Sequence, residues 1–431
     1  MTSLNPDSPA LLVRRGRIAG PDGFSPVDLR LSEARIAAIA PAGTLAPEPG
    51  ETVLEADDGI VLPAFVDLHT HLDKGHITPR QPNPDGSFMG ALTAVSADRV
   101  ANWTAADVEA RMEFALRCAY AHGTAAIRTH LDSAPPQHGI SWPVFARMRE
   151  RWAGRIELQA TALCGPDHLL DTALVEALAQ TAKAHGGSLG GAISVFDNAG
   201  EAIANLIDAA GRHGLDLDLH IDESGDSASR SLSVLADRVI ETGFSGRVLA
   251  GHCCSLAVLA GEDAKATIAR VAEAGIAVVS LPMCNLYLQD RLPGRTPRWR
   301  GVTLLRELKA AGVAVSLASD NTRDPFYAYG DLDMLEVLRE SVRIGHLDHP
   351  ADRLADWFSA IAAVPARTGG FAYGGTLATS APADLVVVRA RTPGELFSRP
   401  QADRTVIRAG AVISARLPDY RDLDPILGVT S

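Results

Sequence analysis

The sequence predicts an α/β fold: a (β/α)8 TIM barrel carrying a small β-sandwich domain built from both chain ends. Three observations predict it. Strand-like and helix-like segments alternate about every 30 residues through the middle of the chain, the pattern of βα units around a parallel sheet. Eight such units can be counted. Both ends lack this alternation and instead hold short apolar or alternating runs separated by Gly and Pro. The expected division is a β domain of residues 1–58 with 370–431 and a barrel of residues 59–369.

The N-terminal runs are 10–13, 27–31 and 35–39, and the C-terminal ones are 383–388 and 405–410. The eight barrel strands are expected at 61–66, 125–129, 156–163, 189–195, 215–219, 247–250, 276–281 and 313–318. Among the helices between them, Val108, Met112, Ala115 and Ala119 share a face, Thr104 with Asp107 makes a cap, and Gly123 ends the helix.

The composition sets limits. With 431 residues, 46% of them hydrophobic, the chain has material for a large core, and its formal charge of −12 argues against a nucleic-acid surface. No apolar run reaches the roughly 18 residues of a membrane span, and the first residues resemble no leader. A soluble cytoplasmic protein is expected. The five cysteines include no CxxC pair, so reduced thiols are expected in place of a disulfide framework or a thiolate zinc site.

In a barrel of this kind chemistry sits at the C-terminal ends of the strands. The first strand runs into LHTHLD at 68–73, whose alternation lets His69 and His71 face one ion. His220 follows the fifth strand, His252 the sixth and Asp320 the eighth. Any one of these residues is weak evidence alone. Four imidazoles and a carboxylate arriving from four strand ends are specific, and they suit one divalent ion, Zn²⁺ or Fe²⁺, with an open position for the water that becomes the nucleophile. The fourth strand offers no lysine that could bridge two ions, so one metal is expected. Asp197 reads as a solvated turn residue and His130 as a structural neighbour of the ligands.

The chain resembles the amidohydrolase superfamily, specifically its bacterial cytosine deaminase branch, almost end to end. The resemblance is carried by PAFVDLHTHLD at 63–73, RTHLD at 128–132, HIDE at 220–223, His252, NLYLQ at 285–289, Asp320 and DPF at 324–326. It implies that His69, His71, His220 and Asp320 are metal ligands, that His252 stands beside the metal-bound water, and that Glu223 shuttles protons. Asp320 would also take the first proton from the water. The resemblance further implies the flanking β domain and a homo-oligomer. The expected reaction is hydrolytic deamination of a small amino-substituted nitrogen heterocycle of pyrimidine or triazine size.

Three departures bear on the ring. Gly165 stands where cytosine deaminases carry a glutamine, Asn321 where they carry an aspartate, and Phe326 where they carry a tryptophan. Lys74 adds a cation directly after HLD; a solvated loop lysine is its commoner reading, and contact with a carbonyl-rich or anionic substrate its functional one. Lys74, Gly165, Asn321 and Phe326 are therefore expected at the substrate, with unsubstituted cytosine disfavoured. The alternatives are hydrolysis that opens a cyclic amide or removes an N-alkylamine from a triazine-like ring, and, more remotely, an inactive binding module, which the intact ligand set with Glu223 disfavours.

Overall fold

A computed structural model describes residues 10–20, 23–193, 198–350 and 353–428. The N-terminal segment forms β1 (Leu11–Gly20), β2 (Gly23–Ser32), β3 (Arg35–Pro41) and β4 (Thr52–Glu55), paired in the order β3-β2-β1-β4. A second four-stranded sheet joins β5 (Val61–Pro63) to β14 (Leu385–Val387), β15 (Thr405–Arg408) and β16 (Ala411–Val412). Val13, Leu29 and Leu31 from the first sheet bury a common apolar core with Val61, Leu385 and Ile407 from the second. Chain ends remote in sequence thus meet because each sheet has an apolar face that water would otherwise cover.

The barrel strands are β6 (Phe65–Thr70), β7 (Thr124–Asp132), β8 (Glu157–Leu163), β9 (Ser188–Ile193), β10 (Leu217–Ile221), β11 (Val248–His252), β12 (Ala277–Ser280) and β13 (Val315–Leu317). They pair in sequence order and all in parallel. The first strand differs from the expected 61–66. The apolar run continues across Ala64, but the chain leaves the terminal sheet after Pro63 and enters the barrel at Phe65. Pro63 sits on an edge strand, the place in a sheet where a missing N–H is tolerated.

Alternation along β10 shows how the barrel separates its two faces. Leu217, Leu219 and Ile221 join the apolar cluster that includes Ile203 and Leu206 of helix Ala199–His213 and Leu235 of helix Ser231–Thr242. Asp218 and His220 turn the other way, toward His130 and His69. Helix Ala105–His122 has the expected termini: Thr104 Oγ1 accepts from the Asp107 amide, and Gly123 closes it at φ 98°. No helix among the described residues is long and apolar enough to cross a membrane. All five cysteines are buried free thiols.

Candidate metal and catalytic site

The barrel closes through residues of the candidate site. Asp320 N donates to His69 O at 2.9 Å, Thr70 Oγ1 donates to Asp320 O at 2.7 Å, and Ser319, through both its amide and its hydroxyl, binds the Asp67 carboxylate. The seam between the first and eighth strands therefore brings His69, His71 and Asp320 together. Register shifts in the β6–β7 ladder between Asp67 and Thr70 locally re-aim the chain around His69. At three strand ends the backbone is left-handed at non-glycine residues: Asp222, His252 and Asp320, at φ 50°, 66° and 63°. Each such residue costs on the order of 1–3 kcal/mol, and such strain concentrates at working sites.

His69, His71, His220 and Asp320 converge in the buried barrel mouth. The Nε2 atom of His220 lies 3.2 Å from that of His69 and 3.3 Å from that of His71, while Asp320 Oδ1 is 3.2 Å from His71 Nε2 and 3.6 Å from His69 Nε2. Tetrahedral donors at about 2.0–2.1 Å from an ion lie about 3.3–3.4 Å apart, so the spacing fits a bound cation. Hydrogen bonding alone does not satisfy the cluster, since neither carboxylate oxygen of Asp320 has a hydrogen-bond partner. Burial and the neighbouring imidazoles hold all three histidines well below their usual pKa, in the neutral form that metal ligation requires. Burial pushes Asp320 up to about 7 before any cation is considered.

His252 and Glu223 stand beside this cluster. His252 Nδ1 lies 3.3 Å from Glu223 Oε1 and 3.0 Å from Asn285 Nδ2, which also donates to Glu223 Oε1 at 3.4 Å. Gln289 Nε2 donates to the Glu223 carbonyl at 3.3 Å. The NLYLQ segment thus acts as a bracket for the HIDE loop. Burial, then the Asp320 charge, raises the Glu223 carboxyl well above its usual pKa, with Lys74 opposing. His130 lies next to His69, with ring centroids 4.0 Å apart and its Nε2 3.5 Å from Asp218 Oδ1. Asp218 is in turn bound by Arg128 at 3.1 Å. Asp197 lies outside the described residues, and β9 contains no lysine.

A cavity of about 320 Å³ opens on the cluster, lined by His71, His220, Glu223 and His252 together with Lys74, Gly165, Asn321 and Phe326. All four residues expected at the substrate therefore line it. Lys74 departs from the commoner expectation of a solvated lysine: it is 6% exposed, with Nζ 4.8 Å from the Phe326 ring centroid. The Asn321 amide is held at both ends, donating from Nδ2 to Asp324 Oδ2 at 2.6 Å and accepting from Cys284 Sγ at 3.4 Å. Gly165 begins the short helix Pro166–Leu169, and a Cβ built there meets nothing within 4 Å.

One wall was not read from the sequence. Helix Phe88–Asn102, inside the long first βα unit, contributes Phe88, Leu92, Val95, Ser96 and Arg99 to the cavity. Arg99 donates to Asp132 at 2.7 Å across the cavity lining. Beneath it runs a charged network in which Arg80 bridges Asp98 and Asp107, and Asp107 holds the fully buried Arg111. The unusual length of that first unit was the available signal.

The amidohydrolase family model matches residues 166–415. A pterin deaminase of Rhizobium rhizogenes is 54% identical over 407 residues, covering 94% of this chain and 92% of that protein. A 5-methylcytosine deaminase from Klebsiella pneumoniae liganded with 5-fluorocytosine superposes with a TM-score of 0.81 at 25% identity, covering 95% of this chain and 98% of its own. An N-isopropylammelide isopropylaminohydrolase from Burkholderia multivorans gives a TM-score of 0.75 at 29% identity, covering 94% and 98%. The chain belongs to the amidohydrolase family.

Proposed function

We propose that this amidohydrolase deaminates a bicyclic 2-amino-4-oxo heterocycle of the pterin class. The observation that carries the proposal is 54% identity to a pterin deaminase over 94% of the chain, with a small-ligand cavity opening on the ligand cluster. Its volume of about 320 Å³ falls in the range of ordinary small-ligand pockets, roughly 300–1,000 Å³. Leu92, Val95, Leu163 and Pro166 offer apolar walls for a flat ring system, while Arg99, Asp132, Ser133 and His168 offer polar partners for the heteroatoms of a second ring. The missing side chain at Gly165 leaves that room open.

His69, His71, His220 and Asp320 are the proposed ligands of one divalent ion, zinc or iron. When bound, the ion acts as a Lewis acid that lowers the pKa of a coordinated water. The remaining chemistry belongs to protein groups. The reaction adds water at the amino-bearing carbon: a C–O bond forms, the adjacent ring nitrogen takes a proton, and the C–N bond breaks as the amine leaves as ammonia. Asp320 takes the first proton of the attacking water. Glu223 gives its proton to the ring nitrogen, takes up the proton of the added hydroxyl as the C=O bond forms and passes it to the departing amine, and the proton held by Asp320 then restores it; burial raises this carboxyl well above its usual pKa. The Asn285 amide donates to His252 Nδ1, which leaves the ring proton on Nε2 to steady the attacking oxygen.

Product analysis tests the reaction class. Incubation of the metal-replete protein with pterin is expected to release ammonia and leave the 2,4-dioxopteridine; a ring-opened product would contradict the deaminase reading. Gly165→Gln tests the ring size. The new side chain has room at its base and fills the cavity beyond, so kcat/KM for pterin should fall at least about tenfold while single-ring substrates lose little. Equal losses for both would remove the size argument.

A further inference from the structure

The HLDKG loop holds a buried ammonium that, among the described residues, has an aromatic ring against it but no hydrogen-bond acceptor. Lys74 is 6% exposed and packs its Nζ over Phe326 in the cavity that Glu223, Asn321 and His71 also line. Among the described residues, no carboxylate lies within ion-pair distance of Nζ and no protein acceptor hydrogen-bonds it. Removing an ammonium from water costs several kcal/mol unless something pairs with it. A cation–π contact of about 0.5–2 kcal/mol does not offset that alone.

The loop is also built to keep this side chain where it is. Arg111 Nη1 donates to Asp73 O at 2.5 Å and to Gly75 O at 3.0 Å, gripping the carbonyls on either side of Lys74. Arg111 is itself fixed by Asp107 at 2.7 Å. The Asp73 carboxylate accepts from Asp132 N and from Ser141 Oγ, each at 2.9 Å. On the other side Gly75 lies so close to Thr322 O that an added Cβ would sit 3.2 Å from it. Rigid support around an unpaired charge is how a binding group is held ready for its ligand.

We infer that Lys74 is the specificity-determining receptor for the ring oxo group of the substrate, pairing with that oxygen in its electron-rich, enolate-like form. This deepens the deaminase reading above and rests on it. An oxygen beside the ring amide supplies the direct acceptor that the protein does not, since Asp73, Glu223, Asp320 and Asp324 reach the ammonium only through longer-range attraction, and a substrate without that oxygen leaves the ammonium with no acceptor. Sites built this way reject the analogue that lacks the group far more strongly than they reject a change of size.

The test compares matched substrates with and without the oxygen: 2-amino-4-oxopteridine against 2-aminopteridine, and isocytosine against 2-aminopyrimidine. The metal-replete wild type should favour the oxo member by at least about 100-fold in kcat/KM. Lys74→Met, which keeps the stem on Phe326, should lose about 100-fold more on the oxo substrates than on their partners without the oxygen, and keep its metal. Equal losses on both members of a pair, or an intact oxo preference, would overturn the inference. Failure of the pterin reading alone shows as pteridines left untouched while the pyrimidine pair still reports on Lys74. Should Lys74→Met lose its metal, binding of the wild type to the dioxopteridine and to its 4-deoxo counterpart decides: at least tenfold tighter binding of the oxo compound supports the role, and equal binding overturns it.

Discussion

Replacing Glu223 by glutamine is expected to leave the metal in place and to lower kcat by about 10²- to 10⁴-fold, the usual contribution of a general acid–base group. Glutamine preserves the shape that fits between His252 and Asn285, whose ring and amide nitrogens lie 3.3 and 3.4 Å from Glu223 Oε1. It removes the only feature the chemistry needs, a proton that can be taken up and given back. Burial, and then the Asp320 charge, raise the Glu223 carboxyl well above its usual pKa, so it holds a proton more readily than an exposed glutamate does. Metal analysis of the same sample separates the two roles. A variant retaining more than about a tenth of wild-type kcat would make Glu223 a structural residue.

His220→Ala should produce the opposite pairing of results, with metal lost first and activity lost with it. His220 Nε2 lies 3.2 and 3.3 Å from the corresponding atoms of His69 and His71, so its removal takes a donor shared with both from the set. Loss of an outer partner of a ligand typically weakens metal affinity 10- to 100-fold, and loss of a ligand should exceed that. Stability offers an independent readout, because a ligand held at 100 times its Kd adds about 2.7 kcal/mol to the folded state. Adding zinc or ferrous ion to the metal-free wild type should therefore raise its Tm, whereas the variant should respond little. An alanine variant that kept a full equivalent of metal after dialysis would remove His220 from the ligand set.

The parts of this site that were legible in the sequence are those fixed by strand periodicity. His69 and His71 alternate along one segment, His220 and His252 lie at the C-terminal ends of their strands and Asp320 just past the eighth, so their convergence follows from the barrel itself. What was not legible depends on where the chain changes partner or folds over itself. The run 61–66 is apolar throughout, and periodicity cannot show that it serves two sheets; Pro63 was the one local signal of an edge. Lys74 looked like an ordinary loop lysine because its burial depends on Phe326, more than 250 positions away, and on a loop whose carbonyls Arg111 grips. Helix Phe88–Asn102 showed only as extra length in the first unit, and its cavity-facing residues have no motif of their own.

The most direct measurement is a side-by-side determination of kcat/KM for ammonia release from pterin, cytosine, 5-methylcytosine and an aminotriazine by metal-replete protein. Pterin is expected to lead the series by at least about tenfold, with cytosine poor, because Gly165 leaves a second ring its space and no glutamine is present to pair with cytosine's amide edge. A cytosine value at or above about 10⁶ M⁻¹s⁻¹ that exceeds all the others, with pterin untouched, would contradict the pterin assignment and make this a cytosine deaminase whose three departures are neutral.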